Sequence, residues 1–135
     1  MFFGRSVDVC KPLVGNRKLV QVVDDDLAVC DSLKFALELE GLEVRTHVSG
    51  ASLFADALLP AADCLILDYR MPSMDGFAVM AELARQSIKT PVIIITAPVS
   101  DALRCRAKRC GAFALLEKPL LDDVLLNNVR AAIPA

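Results

Sequence analysis

The sequence predicts an α/β protein whose core is a doubly wound, five-stranded parallel sheet with the strand order 2-1-3-4-5. Short runs rich in Val, Ile and Leu, typical of strands buried on both faces, recur along the 135 residues. Each run is followed by a segment in which apolar residues recur at helical spacing. Such alternation favours parallel strands joined by right-handed crossovers, with helices covering both faces of the sheet.

Each predicted strand is a short run dominated by apolar and β-branched side chains. The second run alternates between apolar and polar residues, which is typical of an edge strand, whereas the other runs are more continuous. In chain order, the predicted strands are LVQVV (19–23), LEVRTHV (42–48), DCLILD (63–68), VIIIT (92–96) and FALLE (113–117).

The predicted helices are recognised by apolar residues three or four positions apart and by the residues that end them. Glycine follows the first and the fourth helix, and proline limits the second and the third. In chain order, the helices are expected from Leu27 to Gly41, from Ser49 to about Leu59 before Pro60, from Phe77 to the residues before Thr90, from about Ser100 to Cys110 before Gly111, and from Leu121 to Ile133. This (βα)5 succession is flavodoxin-like.

The length of the chain fits a single domain with one hydrophobic core. Residues 1–17 are polar and irregular, with Pro12 and Gly15, and are expected to form an N-terminal arm. Residues 18–135 are expected to form the domain. No effector domain is expected in this chain, because the fifth helix reaches its last residues.

Composition excludes several classes of function. A net charge of −2 gives no general attraction for nucleic acid. No apolar run approaches the roughly 18 residues of a membrane span, and no signal-peptide core is present near the N-terminus. The five cysteines form no close pair, which argues against a disulfide framework or a zinc site. We therefore expect a cytoplasmic protein that itself binds neither nucleic acid nor membranes.

The third predicted strand ends in a carboxylate, Asp68, within the stretch CLILDYRMPSMDG. An aspartate there could be no more than a helix cap or a loop residue. However, the carboxyl ends of strands are where open α/β sheets carry their binding sites, and neighbouring strands end in polar residues as well. Those residues are Asp24 and Asp25 after strand one, Thr96 at the end of strand four, and Lys118 after strand five.

These residue types suit metal-assisted phosphoryl transfer. Three neighbouring carboxylates repel one another, and a divalent cation relieves that repulsion. Oxygen ligands of this kind favour a hard cation such as Mg²⁺. A carboxylate such as Asp68 can act as a covalent nucleophile toward phosphorus, and that reaction needs mainly positioning and charge neutralisation. Mg²⁺ and the Lys118 ammonium would supply positive charge, and the Thr96 hydroxyl could donate a hydrogen bond to a phosphoryl oxygen.

Taken together, the segments at the strand ends resemble the motifs of the response-regulator receiver domain of two-component signalling, and the resemblance covers about residues 18–133. The stretches SGASLF and KPL are most similar to the subgroup whose members often carry a DNA-binding helix-turn-helix after the receiver. The motifs that carry the resemblance are VVDDD (22–26), LILDYRMPSMDG (65–76), IIITA (93–97) and EKP (117–119).

The resemblance implies a role for each of these residues. Asp68 would accept a phosphoryl group from a phosphohistidine on a sensor histidine kinase or a phosphotransfer protein. Lys118 would pair with that group, and Lys118–Pro119 would be a cis peptide bond. The remaining implied roles are Mg²⁺ binding by Asp24, Asp25, Asp68 and the backbone carbonyl of Arg70, and phosphoryl binding and switching by Thr96 and Ala97.

The family also implies an output. Phosphorylation would shift the surface of helix four, strand five and helix five toward a state that binds a partner or a second copy of the chain. The domain would thus signal, promoting its own phosphorylation and dephosphorylation, and would not act as an ordinary enzyme. Helix four carries several basic residues, usually a solvated face, which could also meet an acidic partner.

Two positions depart from the family pattern. Leu115 stands where receivers usually place the aromatic residue whose rotation reports the movement of the threonine, and Phe113 is predicted on the same face. The switch is then either muted or dependent on the packing of Leu115 alone. Pro98 lies two residues after Thr96, where it stiffens the loop and removes a hydrogen-bond donor.

Alternative readings concern Asp24, Asp26 and His47. VVDDD also fits a haloacid-dehalogenase-type phosphatase with Asp24 as nucleophile and Asp26 as acid/base, although the later acidic pair and cap insert of that family are not found. A phosphate-independent binding module is the other alternative, motivated by Leu115. Asp26 is otherwise expected as an acid in the first turn of helix one, and His47 as a surface residue of strand two.

Overall fold

The structure, a computed structural model, describes residues 17–120 and 123–133. Its centre is a five-stranded parallel sheet with the spatial order β2-β1-β3-β4-β5, which is the order the sequence predicts. Most of the predicted N-terminal arm and Leu121 lie outside the described residues. The strands are β1 (Leu19–Val23), β2 (Glu43–His47), β3 (Cys64–Asp68), β4 (Val92–Thr96) and β5 (Ala114–Glu117).

A helix follows each strand along the chain. Gly41 and Gly111, which follow the first and the fourth helix, both have φ +86°, a left-handed conformation typical of glycine beyond a helix end. None of the helices in the described residues combines the length and apolar character needed to cross a lipid bilayer. The helices are α1 (Leu27–Glu38), α2 (Gly50–Ala55), α3 (Gly76–Arg85), α4 (Asp101–Arg109) and α5 (Val124–Ala132), with a short 3-10 turn at Leu59–Ala61.

Side chains of the three central strands alternate between two hydrophobic clusters, one on each face of the sheet. All residues of β1, β3 and β4 are buried, as expected for strands covered on both faces. The cluster beneath α1 and α5 includes Val22, Ile66, Ile95, Leu37 and Val129. The cluster beneath α2, α3 and α4 includes Val23, Leu67, Ile94, Leu53, Phe77 and Ala107.

The second helix is shorter than the sequence predicts. It ends at Ala55, and Asp56 adopts an extended conformation with φ −81° and ψ 119°. The Asp56 carboxylate accepts a hydrogen bond from the Leu58 amide at 2.8 Å and from Arg45 Nε at 2.7 Å. An aspartate that bonds locally to the backbone offers an alternative to the helical hydrogen bonds, which explains the early end. Pro60 therefore lies inside the 3-10 turn and does not terminate α2.

The prediction that His47 lies on the surface is wrong, because only 8% of it is exposed. Its Nε2 lies 2.7 Å from Gln21 Oε1 and its Nδ1 lies 2.8 Å from Ser52 Oγ. The alternation of β2 turns this side chain toward β1 and α2. There it meets Gln21, the one polar residue of the otherwise apolar β1. The buried imidazole is thus part of a polar network beside the sheet.

Candidate functional site

The structure brings the three predicted carboxylates together at the carboxyl edge of the sheet. One carboxylate oxygen from each of Asp24, Asp25 and Asp68 lies within 4.8 Å of the other two. Asp24 is completely buried and Asp68 is 4% exposed, whereas Asp25 is exposed. The site is therefore a buried acidic floor with one acidic side chain at its rim.

Backbone hydrogen bonds fix the position of each residue at this edge. The ladder continues past the strands, because the Asp24 amide donates to His47 O at 3.0 Å and the Tyr69 amide donates to Ile95 O at 2.9 Å. In the same way, the Lys118 amide donates to Thr96 O at 2.7 Å. Side chains from four different strands are therefore held at one height, a consequence of parallel register.

The Lys118 side chain extends across the site to the carboxylates of Asp24 and Asp68. Its Nζ donates a hydrogen bond to Asp24 Oδ2 at 3.0 Å and lies 3.4 Å from Asp68 Oδ1. Burial alone would lower the pKa of Lys118, but the hydrogen bond and the charges of Asp24 and Asp68 outweigh it, so that its pKa is raised. The ammonium therefore stays charged beside both carboxylates.

The carboxyl of Asp68 has a raised pKa. Burial is the largest cause and the negative charge of Asp24 is the second, while Lys118 and the Arg70 amide partly offset them. The Arg70 amide lies 3.4 Å from Asp68 Oδ1. A carboxylate that is destabilised in this way gains from any additional cation placed beside it.

The residues present fit a hard divalent cation. The three clustered donors are all carboxylate oxygens, which is the ligand type that Mg²⁺ prefers, and its remaining positions are usually filled by water. A cavity of about 400 Å³ opens beside Asp25 and the loop after β3, and gives room for such waters or for a phosphoryl group. The cavity is lined by Asp25, Tyr69, Arg70, Met71, Pro72 and Asp75.

Thr96 lies at the same edge and is 1% exposed. Within the described residues, its Oγ1 is buried and has no hydrogen-bond partner. Unpaired buried hydroxyls are uncommon and costly, and such a group is well suited to donate to a ligand oxygen. The next residue, Ala97, accepts a hydrogen bond through its carbonyl from Arg70 Nε at 3.2 Å.

Two X-Pro peptide bonds near the site are cis. Lys118–Pro119 is cis, in agreement with the expectation for this bond, and Ala97–Pro98 is cis as well. The sequence offered no signal for the second of these bonds beyond the presence of Pro98.

Leu115, at the position that departs from the family pattern, is half-buried against the cluster beneath α2, α3 and α4. Phe113, two residues earlier in the chain, is 45% exposed. A cleft of about 390 Å³ remains between α4 and β5. It is lined by Arg104, Ala107, Lys108, Ala112, Phe113, Ala114 and Leu115.

Sequence reasoning missed several side chains that build the site. Asp75 caps α3 by accepting from the Ala78 amide at 2.8 Å, and Gly76 lies directly against the backbone of Tyr69. The Tyr69 ring packs on Phe77 at a centroid distance of 5.1 Å. The available signal was the aspartate before a glycine and a helical pattern, which is typical of an N-cap.

Comparisons with known proteins agree with this geometry. Residues 20–130 match the model of the response regulator receiver domain. The sequence is 39% identical over 115 residues to the transcriptional regulatory protein FixJ of Azorhizobium caulinodans, covering 84% of this chain and 54% of that protein. It is 37% identical over 120 residues to the transcriptional regulatory protein TdiR of Thauera aromatica, covering 88% and 52%. The chain thus spans about half the length of these relatives.

Solved structures give the same result. The fold matches the chemotaxis protein CheY4 of Vibrio cholerae with a TM-score of 0.80 at 28% identity, covering 87% of this chain and 99% of that one. It matches the crystal structure of FixJ-N with a TM-score of 0.76 at 32% identity, covering 85% and 92%. The predicted flavodoxin-like fold class is confirmed by both.

Proposed function

Because this chain belongs to the response regulator receiver domain family of two-component signalling, we propose that Asp68 is its phosphoacceptor. The observation that carries the proposal is the arrangement around Asp68, which is buried beside Asp24 and Asp25 and within 3.4 Å of the Lys118 ammonium. The proposed donor is a phosphohistidine on a sensor histidine kinase or on a phosphotransfer protein.

In the proposed reaction, a carboxylate oxygen of Asp68 attacks the phosphorus of the phosphohistidine. The new O–P bond forms as the P–N bond breaks, and the imidazole leaves with the electron pair and takes up a proton. Lys118 is already close to Asp68 and would pair with a phosphoryl oxygen. Thr96, whose hydroxyl is unpaired within the described residues, would donate to another phosphoryl oxygen next to Ala97. Attack by water on the same phosphorus would later break the O–P bond to Asp68, release inorganic phosphate and return Asp68 to its carboxylate form.

We propose that Mg²⁺ is bound by the carboxylates of Asp24, Asp25 and Asp68 with the backbone carbonyl of Arg70. When bound, it would neutralise the negative charge that accumulates as two anions approach each other. The mutual repulsion of Asp24 and Asp68, which helps to raise the pKa of Asp68, supports this assignment.

The proposed output is a change in the surface formed by α4, β5 and α5, which would then bind a partner or a second copy of the chain. We further propose that residues 18–135 act as the receiver, with residues 1–17 as an arm. The named relatives are transcriptional regulatory proteins about twice as long as the matched region, so regulation of transcription by a larger protein is proposed here as the context. Since kinases of this kind depend on ATP, the proposed location is the cytoplasm.

The test is phosphoryl transfer from a purified histidine kinase domain that has been phosphorylated with labelled ATP. Label should move to the wild-type chain within minutes when Mg²⁺ is present, and Asp68→Asn should abolish the transfer. Lys118→Ala should slow the transfer without removing Asp68 as the acceptor. The kinase domain must be active, as shown by transfer of its label to another receiver. If that kinase keeps its label in the presence of wild type just as it does with Asp68→Asn, the proposal is overturned.

The structure weighs against a phosphatase that uses Asp24 as nucleophile. Asp24 Oδ2 accepts from Lys118, and Asp24 Oδ1 accepts from the Asp26 amide at 2.9 Å, contacts that hold the carboxylate in place beside Asp68. Asp26, the residue that would be the acid/base, caps α1 by accepting from the Ala28 amide at 2.9 Å. This contact gives Asp26 a structural role at the start of the helix. Hydrolysis of a simple phosphate ester that is lost in Asp24→Asn but kept in Asp68→Asn would support this reading.

The phosphate-independent binding module has one observation in its favour. Leu115 leaves the cleft between α4 and β5 open, so that a partner could bind there without any movement of an aromatic residue. Under this reading, a partner complex would form equally well with wild type and Asp68→Asn.

A further inference from the structure

Four side chains form a stacked row that leads from the loop after Asp68 to α4. The centroids of the Tyr69 and Phe77 rings are 5.1 Å apart, with their planes inclined at 60°. The guanidinium carbon of Arg106 lies 4.3 Å from the Phe77 centroid, and that of Arg70 lies 5.6 Å from the Tyr69 centroid. We refer to Arg70, Tyr69, Phe77 and Arg106 as the stacked row.

The contacts in the stacked row have the geometry of stabilising aromatic and cation–π interactions. Tilted aromatic pairs at this separation and cations within about 6 Å of a ring centroid are both stabilising arrangements. Phe77 is only 4% exposed, so its contact with Arg106 is partly shielded from water. Within the described residues, Arg106 takes part in none of the ion pairs, so its guanidinium is not drawn away from the Phe77 ring by a carboxylate.

A second contact ties the same loop to the segment before α4. Arg70 Nε donates to the carbonyl of Ala97 at 3.2 Å, four residues before α4 begins. The Gly76 amide donates to Tyr69 O at 2.9 Å, which fixes the loop to the start of α3. Residues 69 and 70 are therefore connected to α4 twice: through Ala97, ahead of the helix, and through Phe77 of α3, which contacts Arg106 of α4.

We propose that Phe77 and Arg106 are positioning residues for the Asp68 site. They hold the Tyr69 ring, and with it the backbone of residues 69 and 70, in the place where the Arg70 carbonyl can bind Mg²⁺. The same contacts transmit a movement of this loop to α4, so the stacked row takes over the connecting role that Leu115 does not provide. The inference rests on the proposed function, and it adds a route between the site and α4.

Coupling of this kind works in both directions. If a cation or phosphoryl group that shifts Tyr69 changes the contact at Arg106, then a change at Arg106 alters the affinity of the site. The experiment therefore measures the Mg²⁺ affinity of the site and the response of α4 in one titration.

The experiment is a titration of the full chain with Mg²⁺, followed by the amide signals of a ¹⁵N-labelled sample. Wild type is compared with Arg106→Gln, which removes the cation, and with Arg106→Lys, which keeps it. Arg109→Gln is the matched control, because Arg109 lies on the same helix and outside the stacked row. Phe77→Leu removes the ring and retains an apolar side chain.

In wild type, Mg²⁺ is expected to shift the amides of residues 68–70 and also those around Arg106. Arg106→Gln and Phe77→Leu should weaken Mg²⁺ binding about two- to fivefold, the range that one cation–π contact accounts for, and should abolish the shifts in α4. Arg106→Lys should restore most of both effects, and Arg109→Gln should match wild type. The double variant should bind Mg²⁺ no more weakly than Phe77→Leu alone, because removing the ring already removes the contact with Arg106.

The outcomes separate this proposal from the proposed function. If Mg²⁺ shifts residues 68–70 equally in wild type, Arg106→Gln and Phe77→Leu, with unchanged affinity and unchanged α4 shifts, the stacked row has no positioning role and the proposed function stands. If Mg²⁺ shifts no amide near Asp68 even in wild type, the metal site of the proposed function is wrong, and the positioning role fails with it.

Discussion

At the scale of single residues, the charge of Asp68 opposes folding. Its pKa is raised first by burial and then by Asp24, so the folded state favours the protonated form. The stability that this group contributes is therefore present below its ordinary pKa and is lost as the pH rises through its folded pKa. At neutral pH the ionised Asp68 carboxylate therefore lowers the free energy of unfolding.

Asp68→Asn is therefore expected to stabilise the metal-free protein at pH 7. The gain should appear as a higher midpoint of thermal unfolding, because the variant no longer buries a negative charge beside Asp24. The measurement is thermal unfolding with a chelator present. Asp31→Asn, an exposed change of the same charge on α1, should have little effect. A lower midpoint for Asp68→Asn would show that its pairing with Lys118 outweighs its burial.

His47 gives a pH dependence of the opposite sign. Burial is the main cause that lowers the pKa of His47, and the charge of Arg45 adds to it, while Asp56 opposes both. Because the folded pKa is depressed, the stability from this group is present above about pH 6.5 and is lost as the pH falls below it. Gln21 and Ser52 complete the polar surroundings of the ring.

We expect His47→Gln to flatten this part of the pH profile. Between pH 7.5 and pH 5.5, wild type should lose more unfolding free energy than the variant, as measured by the midpoint of urea unfolding. The contribution of Asp68 is the same in both proteins, so it cancels in the comparison. Equal losses in the two proteins would mean that His47 titrates as an exposed residue.

At the scale of elements, the loop between β3 and α3 controls the geometry of the site. A Cβ on Gly76 would lie 3.1 Å from Tyr69 Cα and 3.4 Å from Asp68 O, and both of these atoms belong to the backbone. A Cβ on Gly50, the first residue of α2, would instead meet Met74 Sδ at 2.8 Å, which belongs to a flexible side chain. The two glycines are thus similar in sequence context and different in what surrounds them.

Gly76→Ala should destabilise the protein by about 1–3 kcal/mol and should also weaken Mg²⁺ binding, because the backbone after Asp68 must move. Gly50→Ala should cost less, since the Met74 side chain can shift and alanine favours the helix. Urea unfolding of both variants measures the difference. Equal stabilities for the two variants would show that the loop after β3 yields as easily as the Met74 side chain.

Sequence reasoning located the elements well where hydrophobic periodicity dominates. The runs of β1, β3 and β4 needed no tertiary information, because strands covered on both faces are apolar throughout. It failed at α2, where the local hydrogen bonds of Asp56 override a helical pattern that continues to Leu59. Local polar competition of this kind leaves little trace in periodicity.

The part of the site that lies at the carboxyl ends of the strands could be predicted from the sequence. Parallel strands bring their carboxyl ends together, so Asp24, Asp68 and Thr96 followed from their positions in the chain. The burial of His47 and the contact between Phe77 and Arg106 did not follow, because both depend on how a helix is rotated against the sheet. The cleft that Leu115 helps to line likewise required the structure, although the leucine at this position was visible in the sequence.

At the scale of the whole molecule, the carboxyl edge of the sheet carries the acidic site, and the surface of α4, β5 and α5 is the proposed output surface. The acidic floor is built from Asp24 directly after β1 and Asp68 at the end of β3, and α4 packs on the same face of the sheet as α2 and α3 and carries basic residues in its last turn. The chain spans about half the length of its named relatives.

The central claim is that Asp68 accepts a phosphoryl group in a reaction that needs Mg²⁺. The most direct measurement is the intact mass of the protein after incubation with Mg²⁺ and a small acyl-phosphate donor, with rapid quenching. One added phosphoryl group is predicted for wild type, and none for Asp68→Asn or for wild type without Mg²⁺. An unchanged mass in wild type under all of these conditions, or the same adduct on Asp68→Asn, would contradict the account.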